Sequence, residues 1–366
     1  MTYKSRLLKL IIISVIFIAL ILILIGLQGN NLGYVKYTLY FNNTINNFNA
    51  PLCIAYDANN NFLYVTNFLS NSVIVINASV NQVVGNVSVG LYPTAIVFDP
   101  SNNYLYVVNS GSNSINGSNS ISVIDPTTNQ VIKNIVVKDG NEIVFDPSNN
   151  YLYVASSSSN SISVIDPTTN QVIKNIVVKD PYGIVYDPNN NYIYVTNPAA
   201  GTISIINPNT DQVVGNVSVG LYPTAIVFDP SNNYLYVVNS GSNSVSVINP
   251  ATNKVITNIK VGKSPYAIAY DHHNGYLYVT NSGSQFISVI NPSTNKVIGN
   301  ITLKYYSYGI VYDPNNNYIY VTNFYSGAIS IISTSSPVNV LLISILLAVV
   351  IITITVGLLL IRKWRK

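Results

Sequence analysis

From residue 51 to residue 333 the chain is written in short runs of β-branched and aromatic residues, separated by clusters of Asn, Asp, Ser, Gly and Pro. Runs of that length and composition predict strands, and the clusters predict tight turns. The unit beginning at Pro93 shows the grammar. Pro93–Asp99 reads as a first strand. Pro100 fixes the backbone angle for the turn that follows, and Asp99 offers an acceptor to an amide inside it. Asn103 stands where a left-handed backbone is called for, and its counterpart in a later unit is Gly275, which tolerates the same geometry. Tyr104–Asn109 reads as a second strand and 121–124 as a third. The turn Asp125-Pro126-Thr127-Thr128-Asn129 then leads to a fourth, 130–137. Four strands joined by three turns make one antiparallel sheet.

The unit recurs. Asp57, Asp99, Asp146, Asp187, Asp229, Asp271 and Asp313 follow one another at intervals of 42, 47, 41, 42, 42 and 42 residues. An Asn holds the third position after each: Asn60, Asn102, Asn149, Asn190, Asn232, Asn274 and Asn316. Val and Ile occupy much of both faces of the third and fourth strands, so each sheet is expected to be sandwiched between neighbours. A ring of four-stranded sheets meets that need without leaving an end. The five extra residues of the second copy, 114–118, fall in the loop between its second and third strands, where an insertion costs little. The seventh copy has three strands and then Pro337. A strand-like stretch upstream of the first copy, 35–45, is expected to supply the missing outer strand and so cover an exposed edge. The fold class is therefore all-β, a seven-bladed β-propeller closed by an N-terminal strand.

The second strands carry a signature. Tyr64-Val65-Thr66-Asn67 is repeated as Tyr-Val-Thr-Asn at 194–197, 278–281 and 320–323, with the variants Tyr-Val-Val-Asn at 106–109 and 236–239. Tyr153-Val154-Ala155-Ser156 departs furthest. Over 51–336 the chain resembles the YVTN-type β-propeller repeats of archaeal surface-layer proteins and related bacterial proteins. The resemblance implies a surface-exposed propeller and carries no catalytic residue over to this chain.

Two apolar segments fall outside the repeat. Residues 10–27 are uncharged and follow Lys4, Arg6 and Lys9, and residues 340–361 precede Arg362-Lys363-Trp364-Arg365-Lys366. Their lengths suit a bilayer and their basic flanks suit a cytoplasmic side. The expected organisation is 1–32, a basic flank and signal-anchor helix; 33–336, the propeller; and 337–366, a transmembrane helix with a basic tail. The expected location is the cell membrane, with the propeller outside, lipid as a partner of both helices, and both termini cytoplasmic if the first helix is not cleaved. Charge agrees with this division. The flanks hold every arginine (Arg6, Arg362, Arg365) and leave 10 lysines against 13 acidic residues between them, so the overall +4 is no nucleic-acid footprint.

Chemistry is sparse. Cys53 is the single cysteine, which excludes an internal disulfide. His272 and His273 share one turn and nominate no further ligands, and one Asp per turn is a poor calcium site, so neither a metal nor a cofactor is expected. Glu142 is the lone glutamate, and it stands where the other copies have Cys53, Ala95, Gly183, Ala225, Ala267 and Gly309, near the mouth of the central channel. Asp139, Asp180, Tyr182, Tyr222 and Tyr266 lie on loops of the same rim and complete a candidate ligand site. Sequons at Asn42, Asn77, Asn86, Asn116, Asn216 and Asn300 are candidate glycosylation sites, with Asn86, Asn216 and Asn300 on outermost strands. The expected role is non-enzymatic: a membrane-anchored extracellular propeller for envelope structure, adhesion or recognition of surface-layer proteins or glycans. The alternative is a propeller hydrolase, lactonase or lyase with its site at the channel mouth.

Overall fold

The turn residues do more than end strands, and their side chains assemble each sheet. The computed structural model describes residues 34–40, 48–111 and 119–334. In each copy the repeat Asp is buried and its Oδ1 accepts the backbone N–H two residues on, as from Ser101 to Asp99 at 2.8 Å. The third-position Asn then works twice. Asn102 Oδ1 accepts the N–H of Tyr104 at 2.9 Å, and its Nδ2 donates to the hydroxyl of Tyr106 at 2.9 Å. The same Asn-to-Tyr bond joins Asn60 to Tyr64, Asn149 to Tyr153 and Asn316 to Tyr320. Each of these tyrosines is wholly buried, so its hydroxyl must find a partner inside the sheet. The position after the Asn is left-handed in the copies at Asn61, Asn103, Asn150, Asn191, Asn233, Gly275 and Asn317, as the Asn/Gly choice there implies.

Seven four-stranded antiparallel sheets result. In the first blade Pro51–Asp57, Phe62–Asn67, Ser72–Asn77 and Gln82–Ser88 run from the centre outwards. The first strands of successive blades touch in turn, and Ile310–Asp313 of the seventh touches Pro51–Asp57 of the first, which closes the ring. Tyr34–Tyr40 pairs antiparallel with Ala328–Ser333 as the outer strand of the seventh blade, Tyr34 opposite Ser333 and Tyr40 opposite Ala328. The N-terminal closing strand expected at 35–45 is present over Tyr34–Tyr40, and 41–45 lie outside the described residues.

The threonine of the Tyr-Val-Thr-Asn segment staples blade to blade. Thr322 Oγ1 accepts the N–H of Gly309 at 2.7 Å within its own sheet and donates to the carbonyl of Leu52 at 2.9 Å in the next. Thr280 does the same between Ala267 N–H (3.0 Å) and the Tyr308 carbonyl (2.6 Å). The Asn of the segment is buried and bonds to the third strand, Asn281 Nδ2 to Ser288 Oγ at 3.2 Å.

One packing expectation is corrected. The third strands are buried on both faces, but the fourth are not: Val84, Ile132, Ile173, Val214, Ile256 and Ile298 are between 38% and 53% exposed. The register between third and fourth strands slips just there, as at Val75/Ile76 and Ile205/Ile206, so the bulged residue turns outward. Blades also fan apart with distance from the centre, and their outer strands have little to pack against.

The membrane reading is corrected as well. Among the described residues no helix is long and apolar enough to cross a membrane. The helices present there are single turns, Phe68–Ser70, Pro198–Ala200 and Phe324–Ser326, whereas a span needs about 20 residues. The two segments assigned as transmembrane helices, 10–27 and 340–361, lie outside the described residues. The fold is an all-β seven-bladed propeller, with Tyr34–Ser333 as one compact unit. The lipid partner, the membrane localisation and the cytoplasmic termini, which rested on those helices, are withdrawn.

Candidate functional site

The site starts from one repeat position, four residues before each turn Asp, where the first strands line the channel. At Gly183 and Gly309 a Cβ would meet the backbone oxygens of Thr224 and Leu52 at 2.3 and 2.2 Å, so this position presses on the neighbouring blade. Glu142 opens the first strand of the third blade, Glu142–Asp146, opposite Ala155. Gly140 makes the approach feasible, since a Cβ there would meet Val108 Cγ1 at 2.5 Å.

Glu142 is half-buried, and a carboxylate held between neighbouring first strands there is poorly solvated. The Glu142 carboxylate accepts one long bond, 3.3 Å, from the N–H of Ile143. Burial outweighs that bond and pushes the carboxyl from 4.5 up to about 7. Cys53 holds the same position in the first blade. Burial, then the charge of Glu142, push its thiol up to about 12, against N–H groups of Ile96 and Ile54 that favour the thiolate.

Two tyrosines complete the cluster. Tyr182 follows the loop into the fourth blade and Tyr266 lies on the first strand of the sixth, Pro265–Asp271. Their hydroxyls meet at 3.3 Å. Both are raised above the ordinary tyrosine value, first by burial; for each, Glu142 and Cys53 add charge repulsion. Both remain neutral donors over the whole physiological range. The hydroxyls of Tyr182 and Tyr266 thus meet from blades four and six, within the electrostatic reach of Glu142 on blade three and Cys53 on blade one. A carboxyl balanced between its two forms near neutrality suits general acid–base work, and fixed phenol hydroxyls suit stabilisation of a developing oxyanion.

The other expected site residues lie further out. Asp139, Asp180 and Tyr222 occupy equivalent left-handed positions where a fourth strand hands over to the next blade (φ 48°, 49° and 49°). The Asn of the preceding loop caps this turn, Asn160 Oδ1 accepting from Asp180 N–H at 2.9 Å and Asn119 Oδ1 from Asp139 N–H at 3.1 Å. Asp180 Oδ2 accepts from Ala199 N–H at 2.8 Å, so its carboxylate is spent on the loop. Tyr222 is 61% exposed. Cys53 was missed as a site residue, although its place in the same register as Glu142 was visible in the repeat. His272 packs edge-on against Tyr270, with centroids 4.8 Å apart, in the turn of its blade. Asn86, Asn216 and Asn300 are exposed on outer strands, and Asn77 is half-buried with its Oδ1 accepting from Ser79 N–H at 2.9 Å. Asn42 and Asn116 lie outside the described residues. Among the described residues no group of three or more His, Cys, Asp or Glu is placed to hold a metal.

Comparison with known proteins bears on this geometry. The family model described as "Lactonase, 7-bladed beta-propeller" matches residues 142–256, under half of the chain. No curated protein matches. The fold is similar to that of a Kuenenia stuttgartiensis hydrazine synthase chain, with TM-score 0.70 and 20% identity over 84% of this chain and 100% of that one. It is also similar to virginiamycin B lyase from Staphylococcus aureus, with TM-score 0.69 and 16% identity over 81% of this chain and 98% of that one. A third likeness is to the Cps50 (Swd1) β-propeller domain of Myceliophteria thermophila, with TM-score 0.68 and 12% identity over 82% and 99% of the two chains. At these identities the structures establish the seven-bladed propeller and nothing finer.

The expected role is corrected on these grounds. The family model that matches residues 142–256 is that of a lactonase, an enzyme. The expectation of a non-enzymatic envelope protein partnered by surface-layer components gives way to the catalytic alternative.

Proposed function

We propose that the chain is a catalytic propeller that opens an uncharged lactone at the mouth of its central channel. Glu142 is the general base, and Tyr182 and Tyr266 donate to the carbonyl oxygen. The observation that carries this reading is a carboxyl raised to about 7 in the same cluster as two hydroxyls 3.3 Å apart. A water gives its proton to the Glu142 carboxylate while its oxygen adds to the carbonyl carbon. The ring C–O bond then breaks, and the departing alkoxide takes the proton back from Glu142. The product is a hydroxy acid. General-base help of this kind is worth about 10²–10⁴ in rate, and each oxyanion donor about 10²–10³.

The substrate class follows from charge. The Cys53 thiol and the two phenols are held neutral at physiological pH, so the charge of this group is that of the Glu142 carboxylate. An anion would be repelled by that carboxylate, so a neutral ester is favoured. The lactonase match supports the choice of reaction; it covers Glu142 and Tyr182, and Tyr266 lies outside it. The repeat itself we assign to the YVTN type, on Tyr64-Val65-Thr66-Asn67 and its three identical copies, which concerns the repeat and not the chemistry. The test is turnover of a panel of uncharged γ- and δ-lactones by the full chain and by Glu142→Gln. A loss of about 10² or more in kcat with unchanged circular dichroism supports the assignment. Equal rates in the two proteins overturn it.

A further inference from the structure

Ring closure brings together two segments that lie far apart in the sequence and break the repeat in the same way. After the second strand, copies two to six continue with Ser110-Gly111, Ser157-Ser158, Pro198-Ala199, Ser240-Gly241 and Ser282-Gly283. The first and seventh copies have Phe68-Leu69 and Phe324-Tyr325 instead. Both pairs sit in one-turn helices ended by a left-handed residue, Asn71 and Gly327. Because the seventh blade meets the first, the rings of Phe68 and Phe324 approach to 5.9 Å.

From that pair an unbroken series of ring contacts spreads over the seam. Phe68 packs on Tyr92 at 5.1 Å, and Phe324 packs on Tyr325 at 5.2 Å and on Tyr308 at 5.3 Å. Tyr308 reaches Tyr266 at 5.1 Å, and the Tyr266 hydroxyl is the one 3.3 Å from that of Tyr182. The platform is open to solvent: Leu69 is 51% exposed, Tyr92 42% and Tyr325 77%. Phe68, Leu69, Tyr92, Tyr308, Phe324 and Tyr325 include no ionisable acid or cation apart from phenols. Exposed aromatic surface that a duplicated Ser-Gly repeat does without has a cost in solubility, and its continuity with the channel cluster gives it an occupant.

We propose that this seam platform binds a neutral aromatic ring carried by the substrate, so that the preferred substrate is an aryl-substituted lactone. The ring lies against Tyr308, Phe324 and Tyr325, the three mutually packed rings beside Tyr266, in offset or edge-on contact, with the carbonyl directed toward the Tyr266 hydroxyl. The choice of a lactone and its direction of entry rest on the catalytic reading of Glu142; the affinity of the platform for an aromatic ring rests on the ring contacts themselves. Tyr325 is mostly solvent-exposed, so its truncation leaves the fold intact even if that of half-buried Phe324 does not.

The experiment measures binding of phenyl-δ-valerolactone and methyl-δ-valerolactone to full-length Glu142→Gln by calorimetry, alone and combined with Tyr325→Ala or Phe324→Ala. The phenyl compound is expected to bind on the order of tenfold tighter than the methyl compound, and either aromatic truncation to reduce that preference to about twofold or less. Equal binding of the two lactones, or a preference untouched by Tyr325→Ala, overturns the proposal. Turnover of both lactones by the unsubstituted chain is measured beside it. Aromatic preference without turnover keeps the platform and removes the catalytic reading. Turnover without aromatic preference removes the platform and keeps the chemistry.

Discussion

Replacing Glu142 by Gln removes the one carboxyl that the fold desolvates within the channel, and the change should be visible in stability before any substrate is added. The folded-state value of about 7 lies well above the ordinary glutamate value of 4.5. At about 1.36 kcal/mol per unit, ionising Glu142 in the folded protein costs up to about 3 kcal/mol relative to ionising it in the unfolded chain. The sign is that of a raised acid. Below pH 4.5 both states are protonated and the full stability is present; it is lost as pH rises from there through about 7. Glutamine has the shape of the protonated acid and does not titrate. Urea denaturation of the full chain and of Glu142→Gln at a series of pH values from 4 to 9 measures the difference directly. The two stabilities should lie close together at the acid end, and the variant should become more stable by up to about 3 kcal/mol at the alkaline end. Parallel curves across the range would show that the carboxyl is solvated as usual, and the argument from desolvation would fail.

Other expectations follow from the same geometry. The Cys53 thiol, raised from 9.0 to about 12, should carry about a thousandfold less thiolate than an ordinary cysteine, so iodoacetamide at pH 8 should label the unfolded chain far faster than the folded one. Because Glu142 contributes to that shift, Glu142→Gln should speed labelling of the folded protein, a change that mass spectrometry reads. Thr322→Val removes both the bond from Gly309 N–H and the bond to the Leu52 carbonyl at the seam, and should cost about 1–3 kcal/mol in urea unfolding. Gly309→Ala places a Cβ 2.2 Å from the Leu52 oxygen and should destabilise by about 1–3 kcal/mol in the same assay, whereas Gly275→Asn, in an open left-handed turn, should change stability by under about 1 kcal/mol.

The ring was legible because its cause is local. Asp, Pro and Asn at fixed offsets specify turns, and seven copies specify seven sheets, down to the strand borrowed from Tyr34–Tyr40. Packing of the outer strands was less legible. Val84 and Ile132 look like core residues by composition, and only the bulge in register shows that they turn outward. The candidate site was half legible. Glu142 stood out as a break in the repeat, and Tyr182 and Tyr266 as rim aromatics, but a sequence does not say that residues of blades four and six meet across a channel. Asp139, Asp180 and Tyr222 looked equivalent to them on the rim, yet they serve left-handed loop turns. The seam platform was hidden most completely. Phe68 and Phe324 are 256 positions apart in a chain of 366 residues, and ring closure alone makes them neighbours.

The central claim is that Glu142, held near neutrality by burial, is the base that opens a neutral lactone. The pH dependence of kcat/KM for the full chain with phenyl-δ-valerolactone tests it most directly. The rate should rise with pH as the carboxyl ionises, with a midpoint near 7, and the rise should vanish together with the activity in Glu142→Gln. A midpoint near 4.5, a profile retained by the glutamine variant, or no turnover at any pH would contradict the account.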